Sequence, residues 1–166
     1  MKQFDLKQDF LAIMADNYTI KCAGQTVYKV VGNGMKIGDQ ASFQTPDGKQ
    51  LAYLAQSNNP LAPKKQFECH KDGKLWATCK QEVWNPMAKK EISIDIPGEN
   101  DYKVTGDRLA WNFEVFLGDK KVGAISKEWG VTDSYGIRVE DDADEVDVLL
   151  CGVLVDAMYH NKDGKK

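Results

Sequence analysis

The architecture of this protein follows from one apolar run, Val146-Asp147-Val148-Leu149-Leu150-Cys151-Gly152-Val153-Leu154-Val155-Asp156-Ala157-Met158-Tyr159-His160. Apolar residues recur here at the spacing of an α-helix, and further apolar side chains fill the opposite side. A helix that is apolar all round is buried on every face or lies in a membrane. About 15 residues span only about 22 Å, whereas a bilayer needs about 20 residues. Because Asp147 and Asp156 also oppose insertion, the run predicts a helix enclosed by the rest of the protein.

Upstream of this run, apolar and polar residues alternate over short stretches. The clearest examples are residues 18–22, 27–30, 91–96 and 111–116. Such alternation is typical of half-buried antiparallel strands. Turn signals separate the strands at Ala23-Gly24, Asn33-Gly34, Asp47-Gly48, Asp72-Gly73, Pro97-Gly98 and Gly118-Asp119. Many short strands joined by tight turns predict a sandwich or a barrel.

A helix that must be enclosed favours the barrel over the sandwich. We therefore predict an all-β protein with one helix, a closed antiparallel β-barrel wrapped around its buried C-terminal hydrophobic helix. Gly152 would permit close contact with the barrel wall, and buried Asp156 would need a donor such as Lys127, Trp129 or Tyr135. We expect one domain over residues 1–166, with a flexible tail at 161–166.

Composition and charge narrow the function classes. The chain has 166 residues, of which 42% are hydrophobic, enough for one domain with a full core. The net charge of -3 gives no electrostatic argument for nucleic-acid binding. Only two of the 22 cationic residues are arginines, Arg108 and Arg138. We therefore expect any anion site to depend on lysine, which acts as a point charge.

The four cysteines, Cys22, Cys69, Cys79 and Cys151, form no C-x-x-C pair, so the sequence does not support a zinc ribbon or a thioredoxin-type motif. A regular hairpin at Asp72-Gly73 would pair Cys69 with Trp76. The N-terminal residues show no apolar core followed by a cleavage site, so we expect no signal peptide. We expect reduced, buried thiols in a cytoplasmic protein.

Catalytic signatures are absent from the sequence. The two histidines, His70 and His160, are too few and too far apart to suggest a designed base. There is no G-x-S-x-G, H-E-x-x-H or glycine-rich phosphate loop, and Gly32-Asn33-Gly34 is better explained as a hairpin turn. We therefore expect no enzymatic activity, no catalytic residue and no cofactor.

Seven acidic residues and no basic one occupy positions 140–156. The first part, 140–145, suggests a calcium site but lacks the D-x-D-x-D-G spacing with its distant glutamate. Asp142, Asp144 and Glu145 lie where the predicted helix begins, where anions cap free N–H groups and oppose the helix dipole. We favour this capping role and expect no metal site.

Three lysine pairs, at 64–65, 89–90 and 120–121, suggest an anionic partner, and the first two have apolar residues nearby. Lys64 and Lys65, and likewise Lys89 and Lys90, follow proline-containing stretches with candidate exposed apolar residues, 58–63 and 84–87. Basic residues beside such side chains can contact a lipid headgroup region. The alternative is that both pairs lie in ordinary solvated turns.

Several segments together resemble the LURP-one-related family, which belongs with the tubby C-terminal domain and the phospholipid scramblases. The resemblance covers roughly residues 10–160 and rests on 122–129, 132–137 and 149–160, with 28–32 and 47–52 fitting the opening pattern. It implies a barrel of twelve strands around a central hydrophobic helix. In position, 140–145 also resembles a segment before the terminal helix of scramblases that is proposed to bind calcium.

Tubby domains bind phosphoinositides at the membrane surface through basic side chains. The resemblance therefore implies a non-enzymatic module that binds lipid or the membrane surface, cytoplasmic and peripheral, with Lys64, Lys65, Lys89 and Lys90 as candidate contacts. One alternative is a structural or regulatory protein-interaction domain without lipid binding, and a weaker one is scramblase-like lipid handling. We expect a monomer that does not span the membrane.

Overall fold

The computed structural model describes residues 1–8, 18–32, 40–56, 66–80, 91–107, 111–129 and 134–159. These ranges contain twelve β-strands, a 3-10 helix at Lys127–Trp129 and an α-helix, α1, at Glu145–Tyr159. The strands are β1 Lys2–Gln8, β2 Tyr18–Cys22, β3 Gln25–Gly32, β4 Gln40–Gln44, β5 Gln50–Gln56, β6 Gln66–Lys71, β7 Lys74–Lys80, β8 Glu91–Ile96, β9 Tyr102–Asp107, β10 Asn112–Leu117, β11 Lys120–Ser126 and β12 Ser134–Val139. The predicted turn at Asn33-Gly34, His160 and the predicted tail at 161–166 lie outside the described residues.

All twelve strands belong to one antiparallel sheet in the order β7-β6-β5-β4-β3-β2-β1-β12-β11-β10-β9-β8. The first strand therefore lies in the middle of the sheet, between β2 and β12. The twelve strands implied by the resemblance are confirmed within the described residues.

The two outer strands of the sheet meet at a seam that nearly closes the barrel. Ala77 forms an isolated antiparallel bridge with Gly98, just beyond β8. Beside it, the Thr78 N–H donates to the Pro97 carbonyl at 2.9 Å, and the Glu99 N–H donates to the Trp76 carbonyl at 2.9 Å. The choice between sandwich and barrel is thereby resolved in favour of a nearly closed barrel.

Alternating strand directions give the barrel two different ends. The connections at 23–24, 45–49, 72–73, 97–101, 118–119 and 140–144 lie at one end, which we call the hairpin end. Helix α1 also begins there. At the opposite end, which we call the far end, the chain leaves β1, β3, β5, β7, β9 and β11.

The predicted helix at 146–160 is confirmed to within one residue at each end. Residues 147–156 of α1 are buried. A Cβ atom on Gly152 would lie 2.4 Å from Cδ1 of Ile137 in β12, and one on Gly123 of β11 would lie 2.7 Å from Cγ1 of Val148. Glycine thus permits close approach at two places along the helix.

The predicted pairing of Cys69 with Trp76 is wrong. A β-bulge between Cys69 and His70 shifts the register, so that Cys69 pairs with Ala77 and His70 with Leu75. The bulge explains why the adjacent residues Trp76 and Ala77 are both buried.

All four cysteines are free thiols. Burial raises the pKa of Cys69 and of Cys79 to about 12. These thiols therefore stay protonated at neutral pH and behave as small apolar core residues.

Candidate functional site

The acidic residues at the start of α1 and just before it contact different partners. The Asp144 side-chain Oδ1 accepts a hydrogen bond from the Asp147 N–H at 3.2 Å. The main-chain carbonyl of Asp144 accepts a hydrogen bond from the Val148 N–H at 3.1 Å. This is the geometry of a helix N-cap, which confirms the predicted capping role for Asp144. Asp142 instead pairs with Lys120 of β11, and this exposed ion pair holds the pKa of Asp142 below its usual value.

Glu145 connects the start of α1 to β1 and β3, which lie on the opposite side of β12 from β11. It accepts hydrogen bonds from the Tyr28 hydroxyl of β3 at 2.7 Å and from Lys2 Nζ of β1 at 3.1 Å. Burial and the contact with Glu145 raise the pKa of Tyr28. Within the described part of the chain, no three His, Cys, Asp or Glu side chains are arranged to hold a metal ion.

The N-cap gives a first testable expectation. Replacing Asp144 with alanine should lower the free energy of unfolding by about 1 kcal/mol, because the Asp147 N–H loses its acceptor at the helix start. Urea unfolding followed by tryptophan fluorescence measures this loss. Asp142→Ala is the matched control and should cost clearly less than Asp144→Ala, because it breaks only an exposed ion pair. Equal losses in the two variants would contradict the capping role.

A second carboxylate of the helix, Asp147, forms the centre of a buried polar cluster at the hairpin end. It is 4% exposed. Lys71 Nζ of β6 donates to Oδ1 at 2.7 Å, and the Tyr102 hydroxyl of β9 donates to Oδ2 at 2.8 Å. Trp76 of β7 completes the cluster, with Lys71 Nζ 5.3 Å from its ring centroid and the Tyr102 ring 5.7 Å away.

This cluster, Lys71–Trp76–Tyr102–Asp147, connects strands on both sides of the seam through the helix. Burial acts to lower the pKa of Lys71, but the hydrogen bond and charge of Asp147 outweigh it, so the pKa lies above its usual value. Burial and the same carboxylate raise the pKa of Tyr102. The arrangement therefore brings a charged lysine and a neutral tyrosine onto one carboxylate.

Sequence reasoning missed this cluster, although a signal was present. Phe67, Cys69 and Lys71 alternate on β6, and the first two are buried. The alternation places Lys71 on the inward face, where a cation needs a carboxylate. Asp147 is the inward-facing acid nearest to the start of the helix at that end.

The candidate lipid contacts Lys64, Lys65, Lys89 and Lys90 lie outside the described residues. The strand ends that flank them are described. Gln56 of β5 and Gln66 of β6 flank the first pair, and Lys80 of β7 and Glu91 of β8 flank the second. All four strand ends lie at the far end, on strands that are neighbours around the barrel.

The hairpin end carries an excess of acidic residues. Its connecting segments contain nine acidic residues and one basic residue, Lys49. Exposed lysines at the start of the following strands, Lys74 and Lys120, offset part of this excess. Among the described residues, acid is therefore concentrated at the end where α1 begins.

The three residues predicted as hydrogen-bond donors to Asp156 lie in different environments. Lys127 is exposed, and the Trp129 ring stacks with Arg138. Tyr135 is buried, and its pKa is raised by burial and by the charge of Asp156. Its hydroxyl has no hydrogen-bond partner in the described ranges, so it is not the donor.

Comparison with known families gives one match, to the sequence model of the LURP-one-related family over residues 2–156. Searches of the curated proteins and of the solved structures found no match. Among the described residues, no helix combines the length and the apolar character needed to cross a membrane.

Proposed function

We propose that this chain, which belongs to the LURP-one-related family, is a non-catalytic barrel module whose far end binds anionic lipid at a membrane surface, phosphoinositides included. The observation that carries the proposal is the common placement of the strand ends that flank both lysine pairs. Segments that connect strand ends at the same end of a barrel can face a planar anionic surface together. The acid-rich hairpin end then points away from that surface, which orients the barrel.

A filled barrel fits this function. We propose that α1 occupies the interior, because residues 147–156 are buried and the helix contacts β6, β9, β11 and β12 through Asp147, Val148 and Gly152. A barrel filled by its own helix has no room for a lipid tail. Lipid recognition then belongs to the outer surface and involves the headgroup.

The expected electrostatic contribution of the lysines makes the lipid-binding proposal testable. Each lysine near an anionic membrane contributes about 1 kcal/mol, so four together contribute up to about 4 kcal/mol. Replacing Lys64, Lys65, Lys89 and Lys90 with glutamate should weaken binding to vesicles of phosphatidylcholine with phosphatidylinositol bisphosphate by at least about a hundredfold. Co-sedimentation at low and high salt measures this, and the wild-type affinity should fall as salt rises.

The matched control reverses the same number of charges elsewhere. It replaces four exposed lysines of the hairpin half, Lys49, Lys74, Lys103 and Lys121, with glutamate. This variant should retain most of the vesicle binding. Equal losses in the two quadruple variants would show a response to net charge alone, and absence of binding by the unmodified protein would refute the lipid function.

A further inference from the structure

Arg138 and Trp129 stack against each other on the outer wall of the barrel. Tyr135, Ile137 and Val139 of β12 are buried, so the alternate residues Gly136 and Arg138 face outward. A Cβ atom on Gly136 would lie 2.6 Å from the Trp129 Cβ, so only glycine lets the tryptophan lie against the strand here. The Arg138 guanidinium carbon lies 4.0 Å from the centroid of the indole ring.

The position of Arg138 leaves most of its donors available. Its Nε–H donates to Gln3 Oε1 of β1 at 3.2 Å. Within the described ranges, neither an ion pair nor a hydrogen bond engages its two terminal amino groups. Gln3 and Trp129 thus hold the guanidinium in place while its fork stays open. A fork held in this way loses little side-chain entropy when it binds a carboxylate in two-point fashion.

We propose that Arg138 and Trp129 form a docking site for a segment of a protein partner that carries a single Asp or Glu beside an apolar residue. Arginine and tryptophan are the residue types that contribute most at protein interfaces. Both are half-buried here, so each keeps an accessible surface. The partner carboxylate binds the guanidinium, and the neighbouring apolar side chain packs on the indole.

The charged residues around Arg138 determine which kind of partner segment can bind. Asp5 pairs in register with Gly136, and Glu140 follows β12 directly. These carboxylates repel a run of acidic residues but tolerate one acid flanked by apolar residues. Arg138 lies four residues from the far-end start of β12, about 13 Å along the strand. Trp129 directly follows the far-end terminus of β11 and packs on Gly136, nearer to that end than Arg138, so vesicle binding and peptide binding are measured separately.

Nuclear magnetic resonance tests the site on the full chain. The Arg138 Nε–H and Trp129 indole N–H signals are followed during titration with the peptide acetyl-Leu-Glu-Leu-amide, and acetyl-Leu-Gln-Leu-amide is the neutral match. We expect saturable shifts of both signals, with binding of the glutamine peptide at least fivefold weaker. Equal affinity for the two peptides, or shifts caused by anionic vesicles and not by the glutamate peptide, would overturn the proposal.

Variants of Arg138 distinguish two-point binding by the guanidinium group from attraction by its positive charge alone. Arg138→Lys keeps the charge but loses the two-point contact. It should lower the affinity for the glutamate peptide at least fivefold, measured by titrations that follow the Trp129 signal. Arg138→Gln should abolish binding, with unchanged backbone signals as the check on folding. Unaltered affinity in Arg138→Gln would refute the site. The variant with Lys64, Lys65, Lys89 and Lys90 replaced should bind the peptide normally, so failure of the lipid function leaves this test intact.

Discussion

Replacement of Asp147 with alanine should lower the free energy of unfolding by about 3 kcal/mol, the lower limit for breaking a buried ion pair. The loss leaves the Lys71 ammonium and the Tyr102 hydroxyl without their acceptor. The Lys71 side chain is 27% exposed, so water can partly replace the carboxylate, and a larger loss is not expected. Urea unfolding followed by tryptophan fluorescence measures the change.

A double-mutant cycle identifies the cause. Lys71→Met in the Asp147→Ala background should recover more than half of the lost stability, because no buried charge then remains unpaired. Tyr102→Phe alone should cost about 1 kcal/mol, the value of one hydrogen bond. If Asp147→Ala destabilises the protein no more than the exposed-pair variant Asp142→Ala, the cluster does not hold the seam together.

Replacement of Gly98 with alanine should have a similarly large effect, through the backbone rather than through charge. The added Cβ would lie 2.0 Å from the Trp76 carbonyl oxygen and 2.7 Å from the Ala77 Cα. These are backbone atoms and cannot rotate away, so the two edges of the sheet must separate. We expect a loss of about 3 kcal/mol, from two broken hydrogen bonds at about 1 kcal/mol each and added steric strain.

Hydrogen exchange locates this effect. The amides of Thr78 and Glu99 donate the two seam hydrogen bonds and should exchange much faster in Gly98→Ala. Gly24→Ala is the control, because its Cβ meets nothing within 4 Å and its cost comes only from its positive φ of 81°. Unchanged protection of Thr78 and Glu99 in Gly98→Ala would refute the role of Gly98 in closure.

The sequence predicted those elements whose signal is local. Strands such as Tyr18–Cys22 and Glu91–Ile96 follow directly from alternation, since one face of each must be buried. Helix α1 follows from its apolar run and from Asp144 at its start. These patterns each need only neighbouring residues.

The features that were missed depend on partners distant in sequence or on an irregularity in a hairpin. Lys71 and Asp147 are 76 positions apart, and no local pattern links them. The bulge at Cys69 is a small local insertion into a hairpin whose turn residues suit a regular register as well. Stacking of Trp129 with Arg138 likewise depends on Gly136 in the next strand.

The position of β1 between β2 and β12 has a consequence for synthesis on the ribosome. One neighbour of β1 emerges at once, whereas the other is translated only after almost the whole remaining sheet. The nascent chain therefore carries an unprotected strand edge until late in translation, and the contact order of the finished fold is high. We expect slow closure and a strong dependence on chaperones that shield such edges during elongation.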